Sequence, residues 1–420
     1  MSKTQSVFIT GSAGTGKSFL VSIAIDILKN DVYKPGEVFV TASTGIAACA
    51  LNGQTLHSFA GIGLGVGDKH VLLKKVVKNA TAFKRWKSVK ALVIDEVSMI
   101  SCDLFDKLEY IARSLRGRVD KPWGGIQLIV SGDFFQLPPI VEDPLGREFA
   151  FEANCWNASF DLQVELTQVF RQSEREFIDL LQGVRRGRKD EEHLRILQHC
   201  CNEPVDSSVT VPRLYPLNMH VQRVNDARLR SLSGEIFKYT AKDTGKNPWK
   251  WQLSNGVAPD ELELGIGARV MLIKNKDVGV GLVNGATGTI VDFVHHTGKK
   301  SWGAFAKCLL PKVRFDSGLE HVIEPDEWHV MEGEKALATR KQIPLILAWA
   351  ISIHKCQGMT LDCLHTDLSN AFGYGMVYVA LSRVRNLQGL YLSGFDSSKI
   401  KAHPKVLEFY NNQLGSKQLQ

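Results

Sequence analysis

The octapeptide Gly11-Ser-Ala-Gly-Thr-Gly-Lys17-Ser18 constrains this chain more than any other feature. It fits G-x-x-x-x-G-K-[ST] and stands between the short apolar run Ser6 to Thr10 and apolar residues that recur at helical spacing from Phe19 to Leu28. A strand that turns through glycines into a helix aims backbone N–H groups and the positive end of the helix at one point, which is a place for phosphate. Gly11, Ser12, Ala13, Gly14, Thr15 and Gly16 form that cradle, Lys17 reaches the β- and γ-phosphates, and Ser18 ligates Mg²⁺. A bare glycine turn is the alternative, and a chance match in a chain of this length is on the order of 0.01.

Val38 to Thr41, Ala91 to Ile94 and Gln127 to Val130 are further short β-rich runs separated by helical stretches. Such alternation predicts a parallel sheet with right-handed crossovers, whose ligand loops lie at the carboxyl ends of the strands. Leu92-Val93-Ile94-Asp95-Glu96 delivers two carboxylates to one of those ends. Asp95 is placed to hold Mg²⁺, directly or through water, and Glu96 to polarise an attacking water as general base. Hydrolysis of a Mg²⁺-nucleoside triphosphate follows, against the alternative of a solvated acidic pair. At another strand end, Ser131-Gly-Asp-Phe-Phe-Gln-Leu-Pro-Pro139 offers Gln136 as a γ-phosphate sensor, or is only a structural turn.

From Gly265 the texture changes. Ala268 to Ile273, Thr287 to Val294, Lys307 to Phe315 and His321 to Ile323 read as short strands joined by turn signals at Asn284-Gly285 and Asp316-Ser317-Gly318. This predicts a small barrel-like β unit, and from Leu345 the α/β alternation returns. The architecture is α/β: two lobes with a β module inserted in the second. A length of 420 residues suits two to four domains, and 44% hydrophobic with 23% charged residues excludes a chain disordered throughout.

The longest apolar stretch, Ile343 to Ile351, contains Pro344 and is far shorter than the ~20 residues of a membrane span. Met1 to Thr10 has no apolar core of a secretory signal. Eight cysteines without a C-x-x-C pair fit a reducing compartment and give no zinc framework; Cys200 and Cys201 beside His199 read as helix packing. Lys+Arg 51 against Asp+Glu 44 gives +7, a weak pointer to a polyanionic partner. The basic runs Lys84-Arg-Trp-Lys87 and Arg185-Arg-Gly-Arg-Lys189 read as solvated helix ends, with phosphate contact or localisation as alternatives.

Taken in order, TGSAGTGKS from Thr10, TASTGIAA from Thr41, GQTLHSFAGIG from Gly53, VIDEVSM from Val93 and GGIQLIVSGDFFQLPP from Gly124 form a series. ELTQVFRQ from Glu165, GLVNGATG from Gly281, LAWAISIHKCQGMTL from Leu347 and YVALSRVR from Tyr378 extend it. In these motifs the chain resembles the petite integration frequency (PIF) DNA helicases of superfamily one, the branch with RecD-like and Dda-like enzymes. Asp103-Leu-Phe-Asp-Lys-Leu-Glu109, Arg113 and Pro122-Trp-Gly-Gly125 look like the stretch that separates this family from other superfamily-one helicases.

The resemblance implies a first RecA-like lobe over 1–164, a second beginning at 165–233, an inserted SH3-like barrel over 234–338, the rest of the second lobe over 339–410 and a frayed tail from 411 to 420. It implies ATP and Mg²⁺ as cofactors, and ATP-dependent 5′-to-3′ unwinding of DNA in genome maintenance. Forked duplex, RNA–DNA hybrids and G-quadruplexes would be substrates, and single-stranded DNA the track. A monomer is expected, with self-association on DNA left open, in nucleus or mitochondrion.

Carried onto this sequence, the resemblance makes Arg171 and Arg383 arginine fingers, joining Lys17, Glu96 and Gln136 as catalytic residues, and sets Gly358 against the γ-phosphate. Thr41, Ser43, Thr44, Thr55, His57, Phe59, His354 and Lys355 become DNA contacts, hydroxyls taking phosphates and the aromatic stacking a base. Loop packing is the alternative for His57 and Phe59. Tyr378, Val379, Ala380, Leu381, Ser382 and Arg385 fall in a segment, Tyr378 to Phe395, that matches the family's DNA-binding region. The glycine-rich stretch Gly61 to Gly67 fits a wedge loop that parts the strands, unless its apolar residues are buried.

Two departures stand out: the family carries a helix with an adenine-reading glutamine before the P-loop strand, whereas ten residues precede Gly11 here, and Cys356 stands where serine is common. The first leaves adenine recognition open. A DNA-binding module without productive turnover is therefore the second reading, and an RNA- or protein-directed P-loop ATPase the third.

Overall fold

The computed structural model describes residues 4–414 except Leu64, 140–147, 203–210, 216–217, Pro248, 255–257, 278–279, Val283, 296–308, 333–334, 354–355 and 357–358. Its first sheet contains β1 (Val7–Gly11), β2 (Val38–Ala42), β3 (Gln54–Thr55), β4 (Ala91–Asp95), β5 (Gln127–Ser131) and β6 (Leu162–Leu166). They lie in the order β3-β2-β4-β5-β1-β6, and every pairing is parallel. The crossovers contain α1 (Lys17–Ile27), α2 (Gly45–Ala50), α3 (Leu56–Ala60), α4 (Lys69–Lys78), α5 (Ala80–Ser88) and α6 (Cys102–Arg116).

Side chains alternate across the sheet, as the pleat requires. Val7, Ile9, Val38, Val40, Ala91 and Val93 face α1 and pack with Val21 and Ile25. Phe8, Phe39, Leu92 and Ile94 face the opposite way, into a core with Phe59, Trp86 and Phe105. Both faces are covered, which is why these strands read as unbroken apolar runs. The expected boundary at 164/165 falls inside β6 and is corrected: β6 pairs with β1 from Val7↔Leu162 to Gly11↔Leu166, closing the edge of the P-loop strand.

The family-specific stretch on α6 acts within this lobe. Ser101 caps the helix by accepting from Leu104 N, and Gly117 (φ 65°) ends it in the left-handed region. Glu109 accepts from Trp123 N at 3.3 Å and pairs with Arg113 at 2.7 Å. Those bonds hold a turn in which Trp123 and Gly124 both have positive φ, with the Trp123 ring buried edge-on against Phe105.

After α7 (Arg175–Arg185) and α8 (Glu191–Asn202), β7 (Arg213–Tyr215) opens a second sheet, and α9 (Asn218–Arg230) leads away from it. Cys200 is buried in the core beneath α8, and Cys201 Sγ donates to Leu197 O. The antiparallel region contains β8 (Ile236–Thr240), β9 (Lys242–Gly245), α10 (Trp249–Ser254), β10 (Glu261–Gly265), β11 (Arg269–Leu272), β12 (Thr287–His295) and β13 (Leu309–Phe315). It continues with β14 (Glu320–Val322), β15 (Asp326–Glu332), β16 (Lys335–Gln342) and β17 (Leu345–Leu347). A five-stranded sheet β14-β13-β12-β11-β17, a three-stranded sheet β15-β16-β9 and the pair β10-β8 result. The chain returns through β18 (Ala350–Ser352), β19 (Leu364–Asp367), α11 (Met376–Leu381) and β20 (Leu390–Gly394), giving a parallel sheet β18-β7-β19-β20.

The β region begins at Ile236, close to the 234 that the resemblance implies and ahead of the change of texture at Gly265, because β8 alternates too weakly in polarity to announce itself. The expected boundary at 338/339 cuts β16, and Leu345 still belongs to β17, whose pairing with β11 keeps it in the antiparallel sheet.

The C-terminal helix α12 (Pro404–Phe409) departs from expectation as well. Val406, Phe409 and Tyr410 enter the first lobe's core, where the Phe409 ring stacks on Phe151 at 4.4 Å and meets Phe134 edge-on at 5.5 Å. This segment closes the first lobe although the second lobe precedes it in sequence. Residues 410–414 continue it as a helical turn, not a frayed end, and 415–420 lie outside the described residues. Among the described residues, no helix is long and apolar enough to cross a membrane.

Candidate active site

The carboxyl ends of β1, β4 and β5 lie side by side, so the three motif loops share one edge of the first sheet. At Gly11 a Cβ would sit 2.5 Å from Leu166 O, which leaves no room for a side chain, and Gly16, at φ 82°, starts α1 from the left-handed region, where a side chain is strained. Lys17 Nζ donates to Gly11 O (2.8 Å) and Ser12 O (2.9 Å), folding the ammonium over its own loop. Burial pulls Lys17 below the usual lysine range, opposed by the negative charges of Asp133, Glu96 and Asp95.

Asp95 is buried and accepts from Ser131 Oγ and from Glu96 N. Burial raises its carboxyl above the ordinary range. Glu96 stands in the left-handed region (φ 54°, ψ 48°), a conformation that costs a non-glycine residue about 1–2 kcal/mol. Strain of this kind persists where surrounding structure demands it, and such positions concentrate at functional sites. Burial, and then the neighbouring Asp95, push the Glu96 carboxyl up to about 7.

A cavity of about 330 Å³ opens over this edge. Gly14, Lys17, Ser18, Glu96 and Gln136 border it from the first lobe; Arg171, Thr360, Arg383 and Arg385 border it from the opposite side. Arg383 is fixed by donating to Val379 O (2.8 Å), Ser382 Oγ (2.7 Å) and Cys356 O (3.4 Å), and Arg171 by donating to Ser382 O (2.9 Å). Burial and the adjacent Arg383 guanidinium pull Arg171 below the usual guanidinium range, a strain that an anion in the cavity relieves.

Cations on both sides, with the Glu96 carboxylate bordering the cavity and Asp95 next to it in the chain, suit a polyphosphate carrying a divalent metal. The donor set fits Mg²⁺, since the Ser18 hydroxyl borders the cavity and Ser131 orients the Asp95 carboxylate.

Sequence reasoning missed several residues here. Phe19 and Phe170 are 73% and 68% exposed and border the same cavity, two flat apolar surfaces beside a phosphate loop. Arg185, read as part of a solvated basic run, is buried and donates to both carboxylate oxygens of Asp133 (2.8 and 3.1 Å). Its guanidinium also lies over Phe135 and Tyr410, at 4.6 and 5.1 Å from the ring centres. In the other basic run, Arg85 and Trp86 are buried too, donating to Phe59 O (2.8 Å) and Ala60 O (3.1 Å). A run of like charges on a sequence does not reveal which members turn inward.

A family model described as PIF1-like helicase matches residues 1–195, and one for the 2B domain of DNA helicase Pif1 matches 253–293. The crystal structure of Pif1 helicase from Candida albicans is 39% identical, with TM-score 0.73, covering 99% of this chain and 96% of that one. The chain belongs to the PIF1-like helicase family. ATP-dependent DNA helicase PIF1 of Xenopus laevis is 44% identical over 411 residues, which are 97% of this chain and 62% of that protein. The chain thus spans about six tenths of the length of the curated PIF1 relatives it matches. A Bacteroides sp Pif1 structure in complex with ADP-AlF4 is 28% identical, with TM-score 0.80, covering 100% of this chain and 96% of that one.

Against this PIF1-like frame the expected DNA contacts divide. Ser43, Thr44, Thr55 and His57 are partly exposed at the carboxyl ends of β2 and β3. Thr44 accepts from Ala47 N and Thr55 caps α3, while Ser43 Oγ has no partner among the described residues. Burial lowers the His57 pKa, favouring its neutral form.

Other expectations are corrected. The Thr41 hydroxyl is buried and donates to Val93 O, and Phe59 is buried between Phe39 and Trp86, so neither faces a strand of DNA. Tyr378, Val379, Ala380, Leu381 and Ser382 are all buried in or beside α11 because that helix is the second lobe's core, not its surface. Arg385, whose side chain is exposed, borders the cavity beside Arg383 and pairs with Asp362 at 3.3 Å, and its expected DNA contact is left standing. In the presumed wedge, Ile62 is buried and Val66 is 79% exposed. His354, Lys355 and Gly358 lie outside the described residues.

Proposed function

We propose that this chain is the motor core of an ATP-dependent DNA helicase that moves 5′-to-3′ on single-stranded DNA and unwinds duplex ahead of it. The observation that carries the reading is the single cavity bordered by Lys17, Glu96 and Gln136 on one side and by Arg171 and Arg383 on the other. Hydrolysis then depends on closure, because neither set of residues is complete without the other. Lys17, Arg171 and Arg383 take up charge spreading over the transferring phosphoryl oxygens, and Glu96 accepts the proton of the attacking water. Ser18 and Asp95 would hold Mg²⁺, which when bound neutralises phosphate charge. Gln136 would sense the γ-phosphate.

In this reading the two parallel sheets belong to RecA-like lobes, and the five-stranded antiparallel sheet is the SH3-like barrel of the second. Ser43, Thr44, Thr55 and His57 line the DNA track, with Val66 at the tip of the wedge. Support for the substrate comes from relatives of this family, whose structures are described as bound to single-stranded DNA and as unwinding forked duplex. RNA–DNA hybrids and G-quadruplexes are the further substrates proposed, and nucleus or mitochondrion the compartments.

ATP hydrolysis measured with and without single-stranded DNA, together with unwinding of duplexes carrying a 5′ or a 3′ tail, tests this. Stimulation by DNA and preference for the 5′ tail are expected. A 3′ preference refutes the polarity, and hydrolysis indifferent to DNA refutes the motor.

A further inference from the structure

Two segments of the first lobe are embedded in the second lobe's core: Ala13 of the P-loop and Leu137 after the glutamine loop. Around them the lobes are joined by polar contacts. Gln182 Nε2 on α7 donates to Ser12 Oγ at 2.9 Å, and Phe170 N donates to Gly14 O at 2.8 Å. Gly375 approaches the glutamine loop so closely that a Cβ there would lie 2.4 Å from Gln136 O. One contact differs from the rest. The Tyr378 hydroxyl, on a ring buried in α11, accepts from Ala13 N at 2.7 Å.

That acceptor reaches the backbone of the loop meant for phosphate, from a helix 365 residues away in sequence. The same short segment carries Arg383, whose Nε is anchored on Val379 O, the residue next to Tyr378. A rigid spacer results, with one end on the P-loop backbone and the other presenting a guanidinium to the cavity that contains Glu96. At that end, the positive charge of Arg383 opposes the rise of the Glu96 carboxyl, so the guanidinium already acts on the cavity's carboxylate.

We infer that Tyr378 is a positioning residue for hydrolysis: its hydroxyl, bound to the Ala13 amide, sets the distance of Arg383 from the reacting phosphate. This rests on the motor reading above and goes beyond it. The DNA track is not the destination of this tyrosine. When the lobes separate, the Tyr378–Ala13 bond breaks and Arg383 withdraws with its segment; when they close, both return together. A hydroxyl suits this task because it accepts from an amide without adding charge beside Lys17.

The test is Tyr378→Phe, which keeps the ring and its packing and removes only the acceptor. A buried amide left without its partner corresponds to roughly a tenfold loss or more. The kcat of DNA-stimulated ATP hydrolysis should fall by that factor while KM for ATP and the affinity for a single-stranded oligonucleotide stay within twofold. Affinity for ADP with aluminium fluoride should fall in parallel with kcat, and affinity for ADP alone should not. In an Arg383→Ala background the same substitution should cost less than twofold, since the tyrosine acts through the arginine.

An unchanged kcat in Tyr378→Phe overturns the inference, and so does a full additional loss in the Arg383→Ala background. If the parent protein does not hydrolyse ATP at all, the motor reading fails instead, and the two failures are distinguishable.

Discussion

Glu96→Gln should make the protein more stable and catalytically inert, and the balance between those effects depends on pH. Folding carries the Glu96 carboxyl from an ordinary 4.5 to about 7, because burial and Asp95 disfavour its charge. Between those two values the folded chain holds a proton that the unfolded chain has released. Stability contributed by this group is therefore greatest at low pH, declines as pH rises from 4.5, and is lost once pH passes 7.

At 1.36 kcal/mol per tenfold, the displacement corresponds to about 3 kcal/mol, and screening of a partly exposed carboxylate reduces it to about 1–3 kcal/mol. Glutamine has the same shape and no charge, so it removes the penalty. Melting followed by calorimetry without nucleotide should show Glu96→Gln above the parent by roughly 1–3 °C at pH 8, with the gap closing at pH 5. ATP hydrolysis by the variant should fall about 10²–10⁴-fold, the loss expected for a general base. In the parent, the acidic limb of hydrolysis should decline as pH falls through about 7. A melting gap that is the same at pH 5 and pH 8 would refute the burial argument. Hydrolysis retained within a few-fold would refute the role of Glu96.

Two further substitutions probe the corrections. Arg185→Ala leaves the buried Asp133 carboxylate without its guanidinium, and denaturant titration should show a loss of about 3–5 kcal/mol, against less than 1 kcal/mol for a solvated arginine. Phe59→Ala, which empties a site between Phe39 and Trp86, should cost about 3–5 kcal/mol while leaving oligonucleotide affinity unchanged at temperatures where the variant is folded. Weakened binding by folded Phe59→Ala would restore the base-stacking role.

The nucleotide site was largely legible because its motifs are local. Gly11 to Ser18 form a turn whose chemistry is contained in eight consecutive residues, and Asp95-Glu96 needs only the strand that precedes it. Arg171 and Arg383 came from family resemblance, and the structure brings them to the same cavity. Tyr378 was sought on the DNA track because a motif name describes a segment, whereas burial acts on each side chain separately. Arg185 was hidden for a related reason: its partner Asp133 lies 52 residues away, and nothing in a run of arginines marks the one that turns inward. Phe59 lay open to two readings, and its packing against Phe39 and Trp86 chose between them.

Domain limits were the least legible part. β6 and β17 belong to sheets by pairing, with β1 in one case and β11 in the other, and a strand does not announce its partner. What the chain by itself determined was the kind of chemistry: a phosphate cradle, a metal and base pair, and alternating strands and helices to hold them, each encoded in a short local stretch. What only the tertiary structure decided was which distant groups complete that chemistry. Val406, Phe409 and Tyr410 close a core begun by Phe8, and Tyr378 meets Ala13 across the length of the chain. Such meetings are selected by burial and hydrogen bonding of the folded whole, which are properties of no single stretch of sequence.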